Sequence, residues 1–184
     1  MIGAVLSRDL GDGAELRPLE PWQAAEFAAF VDEAREILAP YLPWASTVVD
    51  EESAREWLRS FADEQARDGR RILGIYLDGT LVGGITVVVF DKVRSICELG
   101  VWLTPSAQGR GLVTRASRVL IDWAVRVRGM ARIEWRASAD NERSLAVPKR
   151  LGMTYEGTLR SAFPCNGVRQ DIEVWSLLAD EWTG

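Results

Sequence analysis

The amino-acid sequence predicts an α+β domain whose sheet is antiparallel first and partly parallel later, and three patterns carry the prediction. Two stretches of helical period come early in the chain, strand-like runs follow between Arg71 and Leu103, and helical and strand-like segments alternate after Gly111. Strands joined by tight turns pair antiparallel, whereas a strand reached through a helix can lie parallel to the one before it.

A first strand is expected over residues 14–18. Over residues 21–39, Ala24, Phe27, Ala28, Val31 and Leu38 share one face, Pro21 lies at the start and Pro40 just past the end, which predicts an amphipathic helix. Asp50 is a good N-cap for a second helix running to Gln65, with Ala54, Trp57, Leu58 and Phe61 facing inward. The period then changes. Residues 71–77 and 81–90 flank Asp78-Gly79, a strong signal for a tight hairpin turn, and residues 95–103 form the next run. Residues 111–128 read as a helix with Val113, Ala116, Leu120, Trp123, Ala124 and Val127 on its apolar stripe. A strand over 132–137, a short helix over 142–151 ended by Gly152, and strands over 153–159 and 171–178 complete the chain. The segments 42–47 and 163–169 are expected as loops folding over the site. With no repeat or linker in the sequence, residues 1–184 are read as a single domain.

Composition excludes more chemistry than it suggests. The 184 residues are 47% apolar and 27% charged, enough to bury a core without disulfides or a structural metal. There is no histidine, so imidazole is absent as base, nucleophile activator or metal ligand. Cys97 and Cys165 form no CxxC pair and read as reduced, buried residues, and no metal is expected. The apolar start before Arg8 and Asp9 is too short for a secretory signal, and no later run approaches the roughly 20 residues that span a bilayer. A cytoplasmic location away from membranes is therefore expected. A net charge of -5 disfavours binding nucleic acid by bulk electrostatics and mildly favours amine-bearing partners.

The informative segment is residues 98–114, ELGVWLTPSAQGRGLVT, where a strand ends, Pro105 breaks it, and a glycine-bearing loop leads into a helix. Gly109 and Gly111 let the main chain approach a ligand, and the unpaired amides of the next helical turn can hold a phosphate, with Arg110 and Arg115 adding charge. The same loop also reads as an ordinary strand-to-helix connection. It is neither a GxxxxGK[ST] nor a GxGxxG loop, so nucleotide hydrolysis and dinucleotide binding lack their motifs. Glu98 is a carboxylate inside an apolar run and shares a strand face with Ile96, Gly100 and Trp102. An ion pair with an arginine, a strand-edge charge and a general base all remain open for it. Ser144 follows Asn141 by three residues, a spacing that also fits local capping.

The loop Gln108-Gly109-Arg110-Gly111-Leu112-Val113 resembles the Q/R-x-x-G-x-G/A pyrophosphate loop of the GCN5-related N-acetyltransferases (GNAT), with Val113 in place of the usual small last residue. ELGVWL before it, residues 140–144 and 149–153 after it, and Leu42-Pro43-Trp44 near the start resemble the RimJ/RimL branch, the protein N-terminal acetyltransferases. The similarity extends over nearly the whole chain, with Pro148 a departure expected to bend the short helix. The resemblance implies a central mixed sheet of six to seven strands flanked by about four helices. It further implies an acetyl-CoA-dependent N-acyltransferase, acting on a protein N-terminal α-amine by direct attack in a ternary complex. A small-molecule amine acceptor and a noncatalytic acyl-CoA-binding module are the alternatives, and a homodimer is in keeping with the branch.

Residue roles follow from the same resemblance. Glu98 is the general base and Ser144 the partner of the departing thiolate, with Tyr155 a competing donor otherwise expected in the core. Asn141 holds the pantetheine arm. Val101, Trp102 and Leu103 offer it backbone groups where their strand splays from its neighbour, residues 108–113 bind the pyrophosphate, and Trp44 and Trp102 form walls of the acceptor pocket.

Overall fold

The computed structural model describes residues 7–184, so the reading of the first six residues lies outside the described part. The chain opens with a hairpin, β1 (Arg8–Gly11) and β2 (Ala14–Pro18), turning at Asp12 and Gly13, both at positive φ. Only the second strand is legible in sequence, because β1 has four residues and buries one of them, Leu10. A 3-10 turn at Pro21–Gln23 leads into α1 (Ala24–Leu38), which buries Ala24, Phe27, Val31 and Leu38 as its periodicity requires. The segment after it is not wholly loop: Trp44–Thr47 forms a one-turn helix, α2. In α3 (Glu51–Ala66), Asp50 caps the start by accepting from the Ser53 amide at 2.8 Å.

The strands β3 (Arg71–Leu77) and β4 (Thr80–Asp91) meet at Asp78-Gly79, where φ values of 49° and 82° fit the two positive angles of a type I′ turn. β5 (Ile96–Leu103) is followed by α4 (Leu112–Asp122), β6 (Arg132–Ser138), α5 (Glu142–Arg150), β7 (Thr154–Cys165) and β8 (Val168–Leu178). Two departures have clear causes. α4 passes into a π-helical turn at Trp123–Val127, which adds a residue per turn and rotates Val127 out of the apolar stripe to 68% exposure. The expected loop over 163–169 is instead the end of a long hairpin turning at Asn166-Gly167. Its strand β7 is exposed almost throughout and so shows no apolar alternation.

The sheet has eight strands in the order β1-β2-β3-β4-β5-β6-β8-β7, against the six to seven expected, the addition being β1. The β5–β6 pair is parallel and the other neighbours are antiparallel. Phe27, Val31 and Leu58 of α1 and α3 pack with Tyr76 and Trp102 on one face, and Leu112, Ala116 and Leu145 of α4 and α5 pack with Leu99, Ile133 and Trp135 on the other. Pro148 sits inside α5 without ending it, although it removes the amide that would bond the Ser144 carbonyl.

Candidate active site

β5 and β6 part company at the middle of the sheet. Their parallel register runs from Ile96↔Arg132 to Leu99↔Trp135 and stops there, while β5 continues to Leu103 and β6 to Ser138. On its other side β5 stays paired with β4 as far as Leu103↔Gly83. Residues 100–103 therefore present unpaired main-chain groups to a cleft of about 1160 Å³ that reaches from Glu98 through Val101, Trp102 and Leu103 to the loop before α4.

The loop has the form of an anion cradle. Gly109 (φ 78°) and Gly111 (φ 71°) are in the left-handed region, and a Cβ on either would meet open space rather than protein. Gly111 is the N-cap of α4 and gives no side-chain cap, so the first amides of the helix are left for a ligand. Arg115 is not free to supply charge: it donates to Asp12 at 2.7 Å and to the Arg110 carbonyl at 3.1 Å, bracing the loop from outside. Across the cleft, Arg143 and Arg150 of α5 line the wall and provide cationic groups. These residues fit a pyrophosphate with its attached chain, and acetyl-CoA brings there an activated acetyl thioester.

Ser144 and Asn141 stand at the start of α5, on the same cleft. Asn141 caps the helix through Oδ1, which accepts from the Ser144 amide at 3.1 Å, so its NH2 group is left to donate. Trp135 Nε1 donates to Ser144 Oγ at 3.3 Å. The indole thus takes one of the hydroxyl's two acceptor positions, and the hydroxyl's own proton is left for a partner in the cleft.

Glu98 has a side chain 16% exposed, with Arg136 Nε 3.6 Å from its carboxylate and Glu134 opposite it in the register. Burial pushes its pKa up; Arg136 opposes that rise and Glu134 reinforces it. A carboxylate raised in this way accepts a proton more readily than a solvated one. The ion pair and the base are thus compatible, since Arg136 is held more closely by Glu134, at 2.9 Å.

Of the residues singled out from sequence, Glu98, Val101, Trp102, Leu103, Gln108, Gly109, Gly111, Leu112, Val113, Asn141 and Ser144 line the one cleft. Three need correction. The Arg110 side chain is exposed and lies off the cleft wall, so this position can contribute to the loop only through its main chain, whose carbonyl accepts from Arg115. Trp44 lies behind the wall, its ring 4.7 Å from Trp57 and 5.4 Å from Trp102, and Tyr41 and Leu42 take the position expected of it. Tyr155 is neither core nor cleft: it is 48% exposed and its hydroxyl is 2.8 Å from Thr158 Oγ1. Sequence reasoning missed Arg136 and Trp135, which lie two positions from Glu134 and Ala137 on a strand with no signal of its own beyond alternation.

The family model for the acetyltransferase (GNAT) domain matches residues 14–154. The chain belongs to the GNAT acetyltransferase family. As a GNAT enzyme it is an N-acetyltransferase and takes its acetyl group from acetyl-CoA. It is 32% identical over 174 residues, 92% of this chain and 93% of the relative, to a putative ribosomal N-acetyltransferase, YdaF, of Bacillus subtilis. A ribosomal-protein-serine acetyltransferase of Escherichia coli is 26% identical over 76% of this chain and 78% of its own. In fold, the GNAT chain superposes on RimL, a ribosomal-protein α-N-acetyltransferase solved with coenzyme A, with a TM-score of 0.90 at 21% identity, covering 95% of this chain and 99% of that one. No helix among the described residues is long and apolar enough to cross a membrane, and no cluster of three or more metal-ligating side chains occurs among them.

Proposed function

We propose that this GNAT enzyme acetylates the α-amine at the N-terminus of a protein, with Glu98 as base and Ser144 as partner of the leaving thiolate. One observation carries the reading: the opening between β5 and β6 brings a carboxylate of raised pKa and a serine with an uncommitted proton onto the same cleft as the glycine cradle. The names of the two relatives described above, a putative ribosomal N-acetyltransferase and a ribosomal-protein-serine acetyltransferase, support a protein N-terminus as the acceptor.

In this mechanism the amides at the start of α4 and residues 108–113 fix the pyrophosphate, while Asn141 and the main chain of Val101, Trp102 and Leu103 orient the pantetheine arm. Glu98 accepts one proton from the incoming ammonium, directly or through a water, the free amine attacks the thioester carbonyl, and the second nitrogen proton passes to solvent as the tetrahedral intermediate collapses to amide and thiolate. As the C–S bond breaks, Ser144 donates a hydrogen bond to the departing thiolate. A serine hydroxyl is a poor acid, so it stabilises charge rather than giving up its proton. The reading takes residues 1–184 as one catalytic domain, which the single continuous sheet supports, and places its work in the cytoplasm. The exposed outer strand β7 is in keeping with a homodimer, which the solution mass would decide.

The deciding experiment supplies acetyl-CoA with short peptides bearing free N-termini, and in parallel with spermidine and aminoglycosides. Acetylated peptides and unreacted small amines are the expected result. Turnover confined to the small amines would overturn it.

A further inference from the structure

The cleft continues past Glu98 into a passage that the chemistry of acetyl transfer does not use. Directly paired residues share a sheet face, so the face bearing Glu98 can be followed outward: Glu98 pairs with Glu134 on β6, Arg136 and Ser138 continue that face, Ser138 pairs with Ile172 on β8, and Ile172 with Leu159 on β7. Phe163 pairs with Gln170 one step further on. The opposite wall comes from the end of α1 and the turn after it, through Ile37, Tyr41 and Leu42. The side is closed by the hairpin tip, where Asn166 Nδ2 donates to the Ala39 carbonyl at 2.7 Å and Gln170 Nε2 to that of Pro40 at 2.6 Å.

The walls of this passage are apolar around a floor that carries Arg136 and Ser138. Ile37, Leu159 and Phe163 are 39%, 47% and 37% exposed, large apolar side chains kept at the surface around one opening. Among the described residues the other carboxylates lining the cleft, Asp140 and Glu142, stand at the start of α5 beside the cradle rather than in the passage. The half-exposed guanidinium of Arg136 lies on the floor between Glu98 and the mouth, paired with Glu134 and Glu98, so the floor offers no free carboxylate to a second ammonium group. From Glu134 to Ser138 is four strand positions, roughly 13 Å, or about four residues of an extended peptide.

We infer that the passage is an acceptor subsite selecting peptides with apolar side chains among roughly their first four residues, and that Leu159, Phe163 and Ile37 are specificity-determining residues. The inference rests on the N-terminal acetylation reading above. A peptide threaded from the mouth places its amine at Glu98 and its next side chains against these walls, where each buried apolar group adds favourable transfer free energy. A polyamine finds no carboxylate beyond Glu98 on the same path.

The test compares two hexapeptides with the same first, fifth and sixth residues and either Leu or Gln at positions two to four. The Leu peptide should have a kcat/KM at least about tenfold higher. In the double variant Leu159→Gln, Phe163→Gln the preference should disappear while the dissociation constant for coenzyme A, measured by calorimetry, stays the same; both side chains are partly exposed, so the fold tolerates the change. Equal rates for the two peptides with the unaltered enzyme, or an undiminished preference in the double variant, would overturn the inference and leave N-terminal acetylation standing. If neither peptide is acetylated while spermidine is, the N-terminal reading falls and this inference falls with it.

Discussion

Arg136 is shared unequally by two acids: its Nε stands 3.6 Å from Glu98, while its NH2 group donates to Glu134 at 2.9 Å, and those two glutamates face each other across the β5–β6 pair. Glu134 is tied down further by Arg132 at 2.7 Å, which holds its carboxyl below the usual range against its burial. Glu98 is left with the weaker share of the cation and the larger consequence of burial. Replacing Arg136 by Gln removes the influence that lowers the Glu98 pKa and leaves burial and Glu134 to raise it. The acidic limb of the kcat/KM profile should therefore move to higher pH in Arg136→Gln and stay near its original place in Arg136→Lys. A limb that does not move would detach Arg136 from Glu98.

Glu98→Gln keeps the shape of the side chain and removes the base. Turnover at neutral pH should fall by about 10² to 10⁴-fold, the usual worth of general base catalysis, with coenzyme A affinity unchanged because the cradle lies at the other end of the cleft. Rates measured beside calorimetric titration separate the two. Unchanged turnover would remove Glu98 from the mechanism.

Ser144→Ala should lower kcat by roughly tenfold to a hundredfold, the range of one lost hydrogen bond to a charged group. Trp135→Phe deletes the donor that occupies Ser144 Oγ and should produce a smaller fall, since it loosens the hydroxyl without removing it. Tyr155→Phe should leave kcat alone, the phenol being engaged with Thr158 away from the cleft. A large loss in Tyr155→Phe would reverse the assignment of the thiolate partner.

The elements that position the site were readable because their signals are local. The Asp78-Gly79 turn needs two positive φ angles, the glycines before α4 announce the cradle, and Asn141 and Ser144 mark a helix start by spacing alone. The walls of the acceptor passage were readable only as segments: residues 42–47 and 163–169 were expected over the site, and Leu42 and Phe163 line it, but Leu159 and Ile37 gave no signal. Leu159 and Phe163 lie on a strand exposed on both faces, with register shifts between Tyr155 and Gly157 and again between Leu159 and Phe163 that break any period-two pattern. Trp44 was misplaced for a related reason: an aromatic at a loop position gives no sign of which side of a wall it supports. The Arg136 connection depends on the parallel register of two strands separated by a helix, which no local pattern encodes.

Acid should weaken the fold through two carboxylates outside the site. Arg128 first, then Lys92, hold Asp68 down to about 2, and Arg132 first, then Ser176, hold Glu156 to about 2. Groups whose pKa is lower in the folded than in the unfolded chain add stability that is complete above their unfolded values, near 3.8 and 4.5, and lost as the pH falls toward about 2. Thermal unfolding should therefore drop in midpoint between about pH 4.5 and 2, and the Asp68→Asn variant should show a shallower drop. An identical slope would mean that the Asp68 cluster is too well solvated to matter.

The cradle can be tested apart from the strain its glycines relieve. Gly109, Gly111 and Gly79 all have positive φ, and a Cβ on any of them meets no protein atom within 4 Å; Gly79, though, lies in the β3–β4 turn and does not line the cleft. Alanine at each should cost a similar amount of stability, about 1 kcal/mol, since an L residue in the left-handed region carries that penalty wherever it occurs. The open space at Gly109 and Gly111 is where a bound pyrophosphate would approach the main chain, so a methyl group there competes with it. Gly109→Ala and Gly111→Ala should weaken coenzyme A binding by about tenfold or more, while Gly79→Ala, equally strained, leaves it unchanged. Calorimetry on the three variants reads the affinity and thermal unfolding reads the strain. If all three bind coenzyme A alike, the loop before α4 is a connection rather than a cradle, and the pyrophosphate has to be sought elsewhere along the cleft, beside Arg143 and Arg150.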